Sequence, residues 1–406
     1  MMRCLWIARG MPFPLTAGDR IYSARLAGAL AAAQARVVMT GFAGEAPPQA
    51  VPGIDWRVVP GRPRGRMRAL ASAMPLVAAR HHTPAYRALL GRLAAEGPWD
   101  AVIVDQYGMG WALDEPGLLA DDPVVVFVTH DHEASVTRQQ WHDRSARLSK
   151  RLYLGQNWLK TRRFERWIAR RSDLVTTITE ADAALFRADA PQARILPLVP
   201  GYDGPRRQRV LTPALPRGVV LFGSYRWSAK EANLRLFLDA ADPLLGRAGI
   251  GIQVVGDMSE GLRRDLAARY PAAAFTGFVE DPEPHLSAAR LAVVAEPIGG
   301  GFKMKLLEYV FNGVPVAALT DCAAGLPESV RRHMLLSPTL DGLLAGVAAL
   351  VDDIPALQAM QEGAQAAAEG AFRWEDRGER LFATIESLRA RKQRRALGPA
   401  RATADA

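Results

Sequence analysis

Two short stretches concentrate the residue types that do chemistry. The first is Gly299 to Pro315, GGGFKMKLLEYVFNGVP, where three glycines (Gly299, Gly300 and Gly301) precede Lys303, Lys305 and Glu308. Glycine has no Cβ, so backbone N–H groups in such a loop can come close to a ligand. A helix starting just behind the loop adds unpaired donors and partial positive charge. Together with two lysines these features make a place for phosphate. Glu308 lies about one helical turn beyond Lys305. There a carboxylate either accepts hydrogen bonds from ribose hydroxyls or is an ordinary solvated helix residue.

The second stretch is Thr129-His130-Asp131-His132-Glu133, which directly follows the apolar run Val124 to Val128. Titratable residues crowded at the carboxyl end of a strand sit where open α/β sheets bind ligands. His130 is the first candidate for a functional histidine and His132 the second. The competing reading is a helix start capped by Thr129 or Asp131.

The elements that must position these residues read as strands alternating with helices. Cys4 to Ala8 is a short buried strand, then come a loop with Pro12, Pro14 and Gly18, a helix over Ile21 to Ala33, and a strand at Val37 to Met39. In a parallel sheet the loop after the first strand faces the ligand, and Gly18 is its natural point of close backbone approach. Strands follow at Ile54 to Val59, Ala101 to Val104, Val124 to Val128 and Leu174 to Ile178; the basic run Arg62, Arg64, Arg66 and Arg68 reads as a mobile loop. Leu196 to Pro216 holds five prolines and the cluster Arg206, Arg207 and Arg209, a composition shift that marks a domain boundary.

A second series then opens at Val219 to Phe222. It continues through Gly223-Ser224, a helix over Ala229 to Ala241, and strands at Ile250 to Val255 and Phe275 to Val279. The strand Leu291 to Ala295 leads into the glycine loop, and Gly313 with Pro315 stops the helix behind it. This alternation argues for parallel sheets. Phe372 to Arg391 reads as one amphipathic helix, and residues 396–406 as a disordered tail.

Composition narrows the function. Lys and Arg number 51 against 42 Asp and Glu, a net charge of +9 that suits nucleotides, nucleic acid or anionic lipid. No helix-turn-helix, zinc or aromatic-sheet signature supports nucleic acid as a partner. The only cysteines, Cys4 and Cys322, exclude a disulfide framework and a cysteine-rich zinc site. The amino-terminal residues lack the apolar core of a secretory signal, and no apolar run reaches membrane-spanning length, so the expectation is a cytoplasmic protein. Arg138 to Arg171 carries eleven Lys and Arg, with Trp141, Tyr153, Trp158, Phe164 and Trp167 interleaved. It reads either as an amphipathic surface for anionic lipid or as a solvated helix pair with its aromatics in the core.

The ordered set of segments resembles the GT-B glycosyltransferases, most closely the retaining glycosyltransferase family 4. The segments that carry the likeness are Pro12 to Leu30, Glu165 to Thr179 (ERWIARRSDLVTTIT), Leu221 to Phe237 (LFGSYRWSAKEANLRLF), Gly299 to Pro315, and Phe372-Arg373-Trp374. The resemblance implies an α/β fold of two Rossmann-like domains facing across a cleft. Residues 1–200, completed by a helix at 373–395 that crosses back, form the acceptor domain, and 201–372 form the donor domain. The implied activity moves a sugar from a nucleotide diphosphate sugar to a glycan, lipid-linked or small-molecule acceptor, with retention. A sugar-nucleotide epimerase and a silent nucleotide-sugar-binding protein are the alternatives.

Carried over by position, the resemblance gives Glu308 the donor ribose, and Gly301, Phe302 and Lys303 the sugar and phosphate. Lys230 matches the lysine of a basic pair that follows the first strand of the second domain. Ser224 stands where the pair's arginine belongs, so that either Arg226 compensates or the pocket differs. The donor-site candidates are therefore Gly18, Ser224, Arg226, Lys230, Gly300, Gly301, Phe302, Lys303, Lys305 and Glu308. His130, the candidate catalytic residue, matches a histidine at the sugar end of the cleft. The family's first glutamate is replaced by Gly300, and Glu296 is nearby but out of register. Helix N-termini and lysines are expected to stabilise the leaving diphosphate, with no cofactor and no metal. The basic surface adds an expected anionic membrane partner at the inner face of the membrane.

Overall fold

The computed structural model describes residues 1–15, 17–70, 72–142, 148–298 and 301–396. Gly299, Gly300 and residues 397–406 of the expected tail lie outside the described residues. The chain divides into two compact units: Met1–Pro200 with the last helix, Trp374–Ala396, and Gly201–Arg373.

The first unit is built on seven parallel strands, β1 (Met2–Gly10), β2 (Ala35–Phe42), β3 (Ile54–Val59), β4 (Ala101–Asp105), β5 (Val124–Val128), β6 (Leu174–Thr177) and β7 (Arg194–Pro197). Their order is β3-β2-β1-β4-β5-β6-β7. Every residue of β4 and β5 is buried, which is why AVIVD and VVVFV are almost wholly apolar: helices cover both faces of the sheet. Trp6, Tyr22, Tyr86, Phe127 and Phe186 are the largest of the fully buried side chains around it. The last helix crosses the helix Gly18–Ala32 closely enough that a Cβ at Gly378 would lie 2.1 Å from the carbonyl oxygen of Ala29.

The second unit has six parallel strands, β8 (Gly218–Phe222), β9 (Gly251–Val255), β10 (Ala273–Phe275), β11 (Leu291–Val294), β12 (Val316–Leu319) and β13 (Leu335–Ser337), in the order β10-β9-β8-β11-β12-β13. In both sheets the order reverses beside the first strand, between β1 and β4 and between β8 and β11. Such switch points open a crevice at the carboxyl ends of the strands. Residues after Gly201 already belong to this unit. Arg209 and Arg290 act as clamps there: Arg209 donates to the carbonyls of Ser287 and Ala289 at 2.7 and 2.9 Å, and Arg290 to those of Pro213 and Leu215 at 2.9 and 2.8 Å.

Several sequence expectations shift. Gly18 is the first residue of its helix, behind the N-cap Ala17, rather than a residue of the loop. Arg66–Leu70 is a short helix within the run expected to be a loop. The strand expected at Phe275 to Val279 is instead Ala273–Phe275; Gly277, at φ +74°, turns the chain away and leaves Phe278 exposed. Among the described residues no single helix is long and apolar enough to cross a membrane.

Candidate functional site

At the switch point of the second sheet, three lysines converge on one carboxylate. Glu296 follows β11 by two residues. Its Oε2 accepts from Lys230 Nζ at 2.6 Å and lies 3.6 Å from Lys303 Nζ, while Oε1 accepts from Lys305 Nζ at 2.7 Å. Its side chain is only 8% exposed. Burial pushes the Glu296 carboxyl up, but Lys305, Lys230 and Lys303 outweigh it and hold the group at about 2. For Lys305 burial wins, lowering its ammonium below the usual lysine range against the pull of Glu296.

Local sequence explains how the lysines arrive. Gly301, at φ +73°, allows the sharp turn after β11, and Lys303 is the N-cap of the helix Met304–Phe311. Leu306, Leu307 and Val310 anchor that helix in the core. Asn233 ties the same loop to the helix Ser228–Arg247, accepting from Ile298 N at 2.9 Å and donating to Ile298 O at 2.8 Å. Lys230 is carried on that helix. The backbone is closely packed here, since a Cβ at Gly256 would lie 1.8 Å from Gly223 O and one at Gly223 would lie 2.9 Å from Lys305 Nζ.

Glu308 is half-buried one turn farther along. Its Oε1 accepts from Asn312 Nδ2 at 3.0 Å. Burial raises its carboxyl above the usual range, against hydrogen bonds from Tyr202 and Asn312. Tyr202 in turn stacks on Phe311 with ring centroids 4.6 Å apart. The carboxylate is thus held by its own helix and the segment entering the unit. Ser224 and Arg226 are exposed, and the Arg226 guanidinium pairs with Asp257 in the loop after β9. Phe302 is half-buried between Gly301 and Lys303.

At the switch point of the first sheet, His130 Nε2 is 2.9 Å from Asp105 Oδ1 and Trp6 Nε1 donates to Asp105 Oδ2 at 2.9 Å. Burial pushes the Asp105 carboxyl up, yet hydrogen bonds from His130, Ser23 and Trp6 hold it below the usual range. An ionised carboxylate only accepts, so His130 carries its proton on Nε2. The imidazole packs edge-on against Tyr22, with centroids 5.2 Å apart.

The helix-cap alternative for this stretch does not hold for Thr129, whose hydroxyl donates to Thr176 O at 2.8 Å. At the start of the helix Glu133–His142, Glu165 accepts from Glu133 N and Ala134 N at 2.8 and 2.9 Å. His132 is structural, its ring 2.7 Å from Ser135 Oγ and 3.3 Å from Asp189 Oδ2. Glu133 is pushed up to about 7, by burial first and by the charge of Asp131 second.

The basic stretch forms the helices Glu133–His142 and Leu148–Arg171. Trp141 stacks on Trp158, and Phe164 and Trp167 pack against the core. What faces out is a stripe of Leu152, Gln156, Leu159 and Arg163, with Leu152 69% and Leu159 51% exposed. At the basic end of the last helix, Arg389 and Lys392 are engaged by Asp100, Asp122 and Asp173.

Comparison with known proteins agrees with this arrangement. Residues 18–201 match the family model described as "Glycosyl transferase 4-like domain" and residues 216–355 the one described as "Glycosyl transferases group 1". No curated protein matches the sequence. Among solved structures, the sucrose-phosphate synthase of Thermosynechococcus elongatus is 17% identical with a TM-score of 0.71, covering 96% of this chain and 100% of its own. The α,α-trehalose 6-phosphate synthase of Burkholderia multivorans is 14% identical with a TM-score of 0.66, covering 97% and 98%. Anabaena HepE, solved in complex with UDP-glucose, is 16% identical with a TM-score of 0.62, covering 95% and 100%. Family matches over most of the sequence, on a chain built from two parallel α/β sheets, make it a member of the GT-B glycosyltransferases of the group 1, family 4-like kind.

Proposed function

We propose that the protein transfers a sugar, with retention, from a nucleoside diphosphate sugar to a hydroxyl of a glycan, lipid-linked or small-molecule acceptor. The observation that carries this reading is the convergence of Lys230, Lys303 and Lys305 at the start of the helix Met304–Phe311, with Glu308 one turn beyond. In the transfer the anomeric carbon loses its bond to the diphosphate oxygen and gains one to the acceptor oxygen. The acceptor proton passes to the departing diphosphate. Negative charge therefore grows on the leaving group, where lysines and a helix N-terminus stabilise it without a metal. Glu308 is assigned to the ribose and His130 to the transferred sugar. The complexes of HepE with UDP and UDP-glucose support a uridine donor as the first to try.

The same reading puts the enzyme at an anionic membrane surface on the cytoplasmic side, in polysaccharide assembly. Its support is the leucine stripe Leu152 and Leu159 beside the exposed Arg162 and Arg163. Each basic residue close to an anionic surface contributes about 1 kcal/mol.

Thermal-shift screening against a panel of nucleotide sugars tests the donor, because a ligand that binds only the folded state raises Tm. The matching sugar nucleotide should raise Tm and be consumed when an acceptor is added. A protein that answers to no nucleotide sugar contradicts the proposal.

A further inference from the structure

We propose that Glu296 is a positioning residue of the phosphate site, gathering the ammonium groups of Lys230, Lys303 and Lys305 into one cluster before a diphosphate arrives. The inference rests on the donor-site reading and goes beyond it by giving a role to a residue outside the family's glutamate pair. The three Nζ atoms come from two separate segments, Lys230 from the helix Ser228–Arg247 and Lys303 and Lys305 from the loop and helix start after β11. Like charges from different segments repel, and only an opposite charge between them holds them together. Glu296 occupies that position, with oxygens 2.6, 2.7 and 3.6 Å from the three ammoniums. Its own backbone is fixed, because Cys322 Sγ lies 3.4 Å from Glu296 N and 3.5 Å from Glu296 O.

The effect on Lys305 follows. That side chain is 16% exposed and its Nζ would lie 2.9 Å from a Cβ at Gly223. The charged and titratable groups around it are Glu296 after β11, Lys230 on its helix, Lys303 in the loop, Cys322 after β12, and the phenols of Tyr225 after β8 and Tyr309 on the helix of Lys305 itself, both of which feel the charge of Glu296. Of these, Glu296 is the one that favours the charged ammonium, while burial and the two lysines oppose it. Glu296 neutralises one of the three charges and so leaves a net double positive charge for the two phosphates of a nucleoside diphosphate.

This gives a test whose sign separates positioning from simple charge. On Coulomb grounds, replacing a carboxylate beside an anion site should tighten anion binding. If Glu296 positions the lysines, Glu296→Gln weakens it instead, since Lys305 loses its counter-ion and sheds its proton as pH rises. The probe is inorganic pyrophosphate, titrated by calorimetry from pH 7 to 9.5 into wild type, Glu296→Gln, Lys303→Met and the double variant Glu296→Gln/Lys305→Met. The wild-type to variant ratio at each pH cancels the titration of pyrophosphate itself.

Glu296→Gln should bind about tenfold more weakly at neutral pH, the scale of one charge-assisted contact, and the deficit should widen with pH. The double variant lacks the titrating ammonium, so its deficit should be independent of pH; if Glu296→Gln does not fold, Glu296→Asp is titrated in its place, and its carboxylate, set back by one methylene from the three ammoniums, should also bind pyrophosphate more weakly than wild type. Glu296→Gln, or Glu296→Asp in its place, binding as tightly as wild type or more tightly overturns the proposal. Lys303→Met separates the two claims: if it leaves pyrophosphate binding unchanged, or wild type does not bind, the donor-site reading itself fails.

Discussion

Asp105 and His130 form a buried pair, Oδ1 to Nε2 at 2.9 Å, at the carboxyl ends of neighbouring strands. Trp6 donates to the other carboxylate oxygen. Asn cannot serve both donors, because its amide offers one oxygen and one NH2. Asp105→Asn should therefore orphan Trp6 or switch the imidazole tautomer. An unsatisfied buried donor costs about 1–3 kcal/mol, which a denaturant melt would register. Transfer rate should fall with little change in donor affinity, and His130→Ala should show the same split. Wild-type stability and rate in Asp105→Asn would contradict this pairing.

The same carboxyl makes stability depend on acid. Its folded pKa is held below the ordinary value, so the stabilisation is complete above the unfolded pKa of about 4 and is lost as pH falls through the folded value. Glu296, held at about 2, acts in the same direction. Wild type should lose stability steadily below about pH 4, and Glu296→Gln should lose less over that range. Parallel pH–stability curves for the two proteins would contradict the assignment.

If lysines and a helix start stabilise the leaving diphosphate, chelation should leave turnover unchanged. Transfer measured with and without EDTA checks this. A rate that collapses in EDTA and returns with magnesium contradicts it.

The surface stripe gives a prediction with its own sign. The protein should pellet with vesicles rich in phosphatidylglycerol at low salt and be released at high salt, because the surface potential is screened within about 8 Å at physiological ionic strength. Leu152→Ser/Leu159→Ser and Arg162→Gln/Arg163→Gln should each reduce pelleting while leaving the fold intact, as these side chains are exposed. No pelleting with anionic vesicles at low salt makes the stripe an ordinary solvated face.

Much of this was legible in the sequence because it is local. Apolar runs such as Val124 to Val128 mark buried parallel strands, and Gly301 and Gly313 take the positive φ that opens and closes one loop–helix unit. The partners of the site residues were not legible, because they meet across the fold. Asp105 reaches His130 across 25 positions, and Lys230 reaches Glu296 across 66. One signal pointed to both acids: each ends, or closely follows, a buried apolar strand, where a lone carboxylate has no reason to sit without a partner. Gly18 opens a helix rather than lying in a loop, and its type did not decide between the two, because a glycine after the first strand serves equally as either. The aromatics of Arg138 to Arg171 satisfied both of their readings by composition, and only packing assigned Trp141 to Trp158 and left leucines outside.

The central claim is that the loop and helix around Gly301 to Glu308 hold a nucleoside diphosphate. The direct measurement is calorimetric titration of UDP, ADP, GDP and dTDP into wild type and Glu308→Gln. Gln keeps the shape of the side chain and an oxygen for Asn312, and it removes a half-buried charge, which offsets a weakened contact with Tyr202, so Tm should stay close to wild type. One nucleotide should bind wild type, and Glu308→Gln should bind it about tenfold or more weakly, as expected when a charged acceptor of ribose hydroxyls is neutralised. Equal affinity in the two proteins would contradict it.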